Sequence, residues 1–170
     1  MIIAETDRLL LSKITVEDAP FLLELMNTPG WLKYNGDRNV KTLDEAISHI
    51  KNNQLKCYET HGFGYYKFQV KAENLKTIGT SGLLKRDQLE HVDIGFSILS
   101  DYHSKGYGYE AASEIMKLAK DTFNIKKLYA ITLPINQPSI NLLEKLGLSY
   151  QKIVKLFEDD KDLLLFAKNL

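Results

Sequence analysis

The sequence predicts an α+β fold, a mixed and mostly antiparallel central sheet of about seven strands flanked by about four helices. Three observations carry that expectation. The hydrophobic repeat is helical early in the chain, alternates with a period of two in the middle, and switches between both from residue 103 onward. The length is 170 residues, close to the ~150 of an average domain, so residues 1–170 are read as one domain. Hydrophobic residues make up 44% and charged residues 26%, an ordinary globular balance that supplies one full core.

Each element follows in order. Arg8-Leu9-Leu10-Leu11-Ser12-Lys13-Ile14 is short and aliphatic, a strand. Thr15 to Asp18 opens a helix with a hydroxyl cap and an acid three positions on. Its apolar positions are Phe21, Leu22, Leu25 and Met26, and Pro29-Gly30 ends it. Residues 31–40 contain Asn35-Gly36-Asp37, a loop signature. Thr42-Leu43-Asp44-Glu45 is a second capping box, leading a helix through Ala46, Ile47 and Ile50. Tyr66, Phe68 and Val70 alternate with polar residues, and two further strands over 77–84 and 92–99 complete an antiparallel meander. A Gly-containing loop then feeds a helix striped by Ala111, Ala112, Ile115, Met116, Ala119 and Phe123. A buried strand over 127–133 leads to a helix near Pro138 that stops at Gly147. Two last strands, near 148–154 and 162–167, flank the acidic turn Glu158-Asp159-Asp160.

Composition narrows the function. Lys plus Arg and Asp plus Glu each number 22, which argues against a dedicated nucleic-acid binder. The single cysteine, Cys57, rules out an internal disulfide framework and a cysteine-based zinc cluster, and fits a reducing compartment. No apolar run approaches the ~20 residues of a membrane span. The start lacks a basic, then apolar, leader pattern. The expectation is a cytoplasmic chain with no membrane contact.

Two segments carry the chemistry. In Tyr102-His103-Ser104-Lys105-Gly106-Tyr107-Gly108-Tyr109-Glu110, between a strand and a helix, glycines let backbone N–H groups approach an anion. Lys105 adds a point charge. Taken alone, that loop reads equally well as an ordinary strand-to-helix turn. Asn136-Gln137-Pro138-Ser139, at the start of the next helix, reads alone as a local cap. A Walker phosphate loop is excluded, because no such motif occurs.

Together these segments resemble the GNAT N-acetyltransferase superfamily, and within it the branch of ribosomal-protein N-terminal acetyltransferases. Thr6-Asp7-Arg8-Leu9-Leu10-Leu11 resembles that branch's opening strand, and Asp93-Ile94-Gly95-Phe96 its fourth. Lys105 to Ala111 resembles its acetyl-coenzyme A loop, and Asn136-x-x-Ser139 through Leu148 its following helix. The resemblance covers nearly the whole chain. One departure stands out: His103 occupies a place usually held by Gln or Arg, and Ser104 one often held by Gly, which bears on cofactor affinity.

The resemblance implies a GNAT-like fold whose fourth and fifth strands, over 92–99 and 127–133, splay apart. The pantetheine arm then pairs with the freed edge at Phe96, Ile98 and Leu99, as an added strand would. Pyrophosphate lies on the loop formed by His103, Ser104, Lys105, Gly106, Tyr107 and Gly108. Asn136 hydrogen-bonds pantetheine, and Ser139 lies near the thioester sulfur. The implied activity is acetyl transfer from acetyl-coenzyme A, without a metal, to a primary amine (a protein N-terminus or a small amine) by direct attack in a ternary complex. The thiolate leaves with help from Ser139, and a backbone N–H near Phe96 stabilises the oxyanion. Two acids compete for the role of base. Asp93 serves either as a water-mediated base or as an ion-pair partner. Glu158 serves either as a catalytic acid or as a solvated turn residue. His61 and His91 read as surface residues and Cys57 as an inert thiol. Trp31, Tyr34, Tyr65 and Tyr66 are candidates to wall the acceptor site. The partners implied are acetyl-coenzyme A and the amine, with a homodimer left open. A non-catalytic coenzyme A-binding sensor or interaction module of the same fold is the competing reading, and a plain nucleotide-phosphate binder a third.

Overall fold

A computed structural model describes residues 1–170. Eight strands form one sheet in the order β1-β2-β3-β4-β5-β6-β8-β7, one strand more than the sequence predicts. The addition is β1 (Ile2–Glu5), antiparallel to β2 (Leu9–Lys13). Only four residues long, β1 has no alternation of its own to read; β2 supplies its order. The meander appears as β3 (Tyr65–Val70), β4 (Lys76–Leu84) and β5 (Asp93–Ile98), each antiparallel to its neighbour. β6 (Lys127–Thr132), β7 (Ser149–Val154) and β8 (Leu163–Asn169) form the other half. β5 and β6 are the one parallel pair.

The helices also exceed the expected four. α1 (Ala19–Met26) follows a short 3₁₀ turn in which Asp18 accepts from Thr15 N–H at 2.8 Å and pairs with Lys67 Nζ at 2.6 Å. α2 (Pro29–Asn35) lies where a loop is expected. Pro29 starts this helix instead of ending the previous one, and Thr28 accepts from Trp31 N–H. Proline at the first helical position loses no hydrogen bond, so it suits a start as well as a stop. α3 (Leu43–Ile50) has the expected box, with Thr42 and Glu45 each accepting from the other's N–H. It runs on through a π-helical stretch, Lys51–Leu55, into α4 (Lys56–His61). With α5 (Tyr107–Asp121) and α6 (Gln137–Lys145), this makes five helical bodies.

One hydrophobic cluster joins these layers. Leu9, Leu11, Tyr66, Phe68 and Ile78 from the sheet meet Ile50 from α3 and the Ala111-Ala112-Ile115-Ala119 face of α5. The three alanines let α5 lie close on β4 and β5, which fixes the loop before it beside the end of β5.

Candidate active site

The decisive feature is a gap in the sheet. β5 and β6 register at one residue pair, Asp93 with Tyr129, where Tyr129 N–H donates to Val92 O at 2.9 Å. Beyond it the strands diverge, as the splay expectation requires. Backbone groups alternate sides along a strand, so two contacts settle which ones face the gap. Leu99 N–H donates to Ile78 O on β4, and Val92 O faces β6. Ile94 N–H closes the rung with Tyr129, so Ile94 C=O, both backbone groups of Phe96 and Ile98 N–H are the ones that point into the gap. Leu99 does not belong with them. Its N–H is used by β4 and its C=O accepts from Tyr102 N–H, so the usable edge ends at Ile98. His103 Nε2 lies 3.1 Å from Ile98 O, placing the imidazole directly on that edge.

The loop that follows is lined with free donors. After His103 N–H, which bonds Ser100 O, the next internal backbone donor is Glu110 N–H, to Gly106 O. The N–H groups of residues 104–109 are left without protein acceptors at the mouth of the fifteen-residue α5. Successive amides, turned by positive φ at Ser104 (60°) and Gly106 (81°), form an anion-binding concavity, and the helix dipole adds to it. Ser104 thus occupies a left-handed position that glycine takes at no steric cost. Lys105 Nζ rests over the Tyr102 ring at 5.2 Å.

The loop is clamped from the N-terminal segment. Glu110 Oε1 accepts from Thr6 Oγ1 (2.5 Å) and Arg8 N–H (3.0 Å), and Oε2 accepts from Arg8 Nε (2.6 Å). Arg8 Nη1 donates to Lys105 O at 2.9 Å, and its guanidinium lies over the Tyr107 ring at 4.4 Å. Burial acts to raise the pKa of Glu110, but the hydrogen bonds from Thr6 and Arg8 outweigh it and hold the carboxyl below its ordinary value.

On the far side of the gap, Asn136 caps α6 by accepting Ser139 N–H at 3.2 Å. The local-cap reading of Asn136 therefore holds, and its amide NH₂ remains free to donate. Ser139 is half-buried, and its hydroxyl enters no side-chain hydrogen bond.

A third group lies on the β5 face that carries Asp93 and Gly95. Tyr65, Gly82 and Gly95 sit in one row across β3, β4 and β5. The phenol of Tyr65 reaches across to Gly95, where any Cβ would collide with its hydroxyl. Asp93, 1% exposed, is held by Arg86 Nε at 3.0 and 3.2 Å from its two oxygens. Burial pushes its pKa up, while Arg86 pulls it back. Arg86 in turn lies 5.7 Å from the Phe157 ring, which brings the β7–β8 turn to this side. Glu158, the next residue, is exposed.

Residues 8–149 match the family model for the acetyltransferase (GNAT) domain. The chain belongs to the GNAT acetyltransferase family. An uncharacterised N-acetyltransferase of Bacillus subtilis (strain 168), YoaA, is 26% identical over 157 residues, covering 91% of this chain and 87% of the relative. Among solved structures, an acetyltransferase from Agrobacterium tumefaciens superposes with a TM-score of 0.83 at 19% identity, covering 98% of this chain and 94% of that one. The ribosomal L7/L12 alpha-N-protein acetyltransferase RimL, solved with coenzyme A, gives 0.84 at 16% identity, covering 100% and 98%. At such identities the structures testify to the fold.

The GNAT chain is accordingly an acyltransferase, and its parts sort into two groups. The β5 edge and the 103–108 loop adjoin the gap, while Asn136 and Ser139 open α6, the helix that follows β6 on its other side. Asp93 reaches the same strand from its own face, already engaged by Arg86. Glu158 has no fixed partner. No cluster of three or more His, Cys, Asp or Glu side chains has metal-holding geometry, and no helix is long and apolar enough to cross a membrane. Cys57 is half-buried, and desolvation raises its thiol pKa. Arg8 and Glu110 belong to the quoted motifs, but nothing in the sequence gives them a role, and no pattern in it marks the Arg86 pair or the Tyr65–Gly95 contact. No local signal joins Arg8 to Glu110 or Tyr65 to Gly95 across such distances, and the Arg86–Asp93 pair forms only when the turn between β4 and β5 folds back.

Proposed function

We propose that this acetyltransferase transfers the acetyl group of acetyl-coenzyme A to a primary amine, a protein N-terminus or a small amine, by direct attack in a ternary complex. One observation carries the reading. A free strand edge from Ile94 C=O through Phe96 to Ile98 N–H runs straight into a loop of free amides at 104–109. An extended amide-bearing arm and an adjacent polyanion fit that order, and coenzyme A has both.

The chemistry follows from the positions. The amine must arrive unprotonated, because an alkylammonium with a pKa near ~10 has no lone pair to attack with. Asp93 takes that proton through water, its raised pKa bringing it closer to the working range of a base. As the C–N bond forms, charge gathers on the carbonyl oxygen, and Phe96 N–H on the open edge stabilises it. When the C–S bond breaks, the new nitrogen sheds its surplus proton and the departing thiolate takes one up to leave as the thiol, with Ser139 Oγ hydrogen-bonding the sulfur meanwhile. Asn136 NH₂ supports the pantetheine arm. The likeness in fold to RimL, an alpha-N-protein acetyltransferase, favours N-terminal peptides within the amine class.

A thiol-release screen with acetyl-coenzyme A against amines and N-terminal peptides tests the assignment. Release that depends on one amine class is expected, while release independent of any amine removes the transferase reading. Ser139→Ala is expected to lower kcat about tenfold with cofactor affinity unchanged. Unchanged kcat removes Ser139 from the chemistry.

A further inference from the structure

We infer that Arg8, from the β1–β2 connection, is a direct pyrophosphate ligand, supplying the guanidinium that the loop itself lacks at His103. This rests on the reading that coenzyme A lies along the β5 edge and the 104–109 loop. Two of the three guanidinium nitrogens are spoken for, Nε by Glu110 Oε2 and Nη1 by Lys105 O. The third, Nη2, has no protein acceptor. A Cβ built on Gly106 would lie 3.2 Å from it, so Nη2 stands beside the residue that turns the amide loop.

Three features make this an anion site in waiting. A guanidinium is planar and always charged, so fixing Nε and Nη1 also fixes the direction of the Nη2 donors. The ring of Tyr107 backs the guanidinium at 4.4 Å, which limits its swing. The side chain remains 45% exposed, open to a ligand from solvent. Charge gives the second argument. Glu110 holds a carboxylate at the start of α5, beside amides that must receive phosphate. Arg8 cancels that charge and leaves its spare donors on the ligand side. Gly106 is needed here twice, for its φ of 81° and for the room that Nη2 occupies.

Calorimetry with coenzyme A, dephospho-coenzyme A and phosphate-free pantetheine separates the alternatives. Arg8→Met alone leaves Glu110 unpaired, so the deciding variant is Arg8→Met combined with Glu110→Gln, which removes both charges. A direct ligand predicts Kd for coenzyme A and for dephospho-coenzyme A raised equally, about tenfold or more, the scale of one charge-assisted hydrogen bond. If Arg8 only masks Glu110, the double variant binds within about twofold of the wild type, and the inference is overturned. A loss confined to coenzyme A assigns Arg8 to the 3′-phosphate and also overturns it. The unmodified protein gives a second readout: the Arg8 Nε–H NMR signal should shift with coenzyme A and dephospho-coenzyme A but stay in place with pantetheine. A stationary signal while coenzyme A binds removes Arg8 alone. Failure of the unmodified protein to bind coenzyme A removes the site and Arg8 together.

Discussion

The two sides of the gap between β5 and β6 are built differently. On the loop side, Thr6, Arg8 and Glu110 lock residues 105–110 with contacts that converge from both ends of the motif. On the side where Asp93 lies, one buried ion pair and one phenol reaching across two glycines stand beside an exposed turn at Phe157 and Glu158. The contrast follows from the chemistry each side serves. A donor common to a family can be met by fixed backbone groups, whereas an acceptor that varies is met by side chains and turns. Under the proposed reaction, the densely bonded loop serves the shared donor and the more sparsely bonded side the variable acceptor.

Substitutions sharpen this contrast, beginning with the largest effect. Gly106→Asp places a carboxylate among the free amides, and coenzyme A affinity should fall about a hundredfold or more. Gly106→Asn bears the same positive φ without the charge and should lose far less. Equal losses in calorimetry would assign the effect to the added Cβ, which meets Arg8 Nη2 at 3.2 Å, and not to the charge.

Asp93→Asn is next, with kcat/KM expected to fall about a hundredfold while coenzyme A binding holds. A base must be deprotonated, so activity should fall as pH drops through Asp93's raised pKa, giving an acid limb above the ordinary carboxylate range. The Asn variant should lose that limb. For stability, the raised pKa means the folded state holds its proton where the unfolded state has released it. The burial penalty of the charged carboxylate therefore fades as pH falls through that value. Glu110 behaves oppositely. Its lowered pKa means the clamp contributes fully above the unfolded carboxylate value and is lost as pH falls through the folded one.

Ser104→Gly is a smaller change. Relief of the left-handed conformation offsets the greater freedom of glycine in the unfolded chain, so stability by denaturant unfolding should shift by less than about 1 kcal/mol. A loss above that would show that the Ser104 side chain makes a contact of its own. Glu158→Gln should change least, within about twofold in kcat, because the residue is exposed without a fixed partner. A hundredfold loss would instead place the β7–β8 turn inside the reacting site.

Much of this was legible in the chain. The period-two meander, the alanine face of α5 and both helix starts flanking the gap follow from local patterns, and they set the splay and the amide loop. Other features were hidden for identifiable reasons. Ile2-Ile3-Ala4-Glu5 becomes a strand only because β2 pairs with it. Pro29 reads equally as a stop and a start until Thr28 is seen to cap α2. Helix α3 continues past Ile50 through a π-turn that no periodicity announces. Arg8 and Glu110 lie 102 positions apart, so their pairing is a product of folding alone. Asn136 shows the remaining difficulty: capping α6 and supporting a ligand use different atoms of one amide, and the letter cannot separate them.

The single rung between Asp93 and Tyr129 also has a mechanical meaning. It makes the sheet two plates, β1–β5 and β6–β8–β7, sewn at one stitch and otherwise held by the helices and core around them. The unsewn amides of Phe96 and Ile98 are the place where an opening between the plates would begin. In the proposed binding mode, an extended arm paired along them adds rungs where the two plates share none.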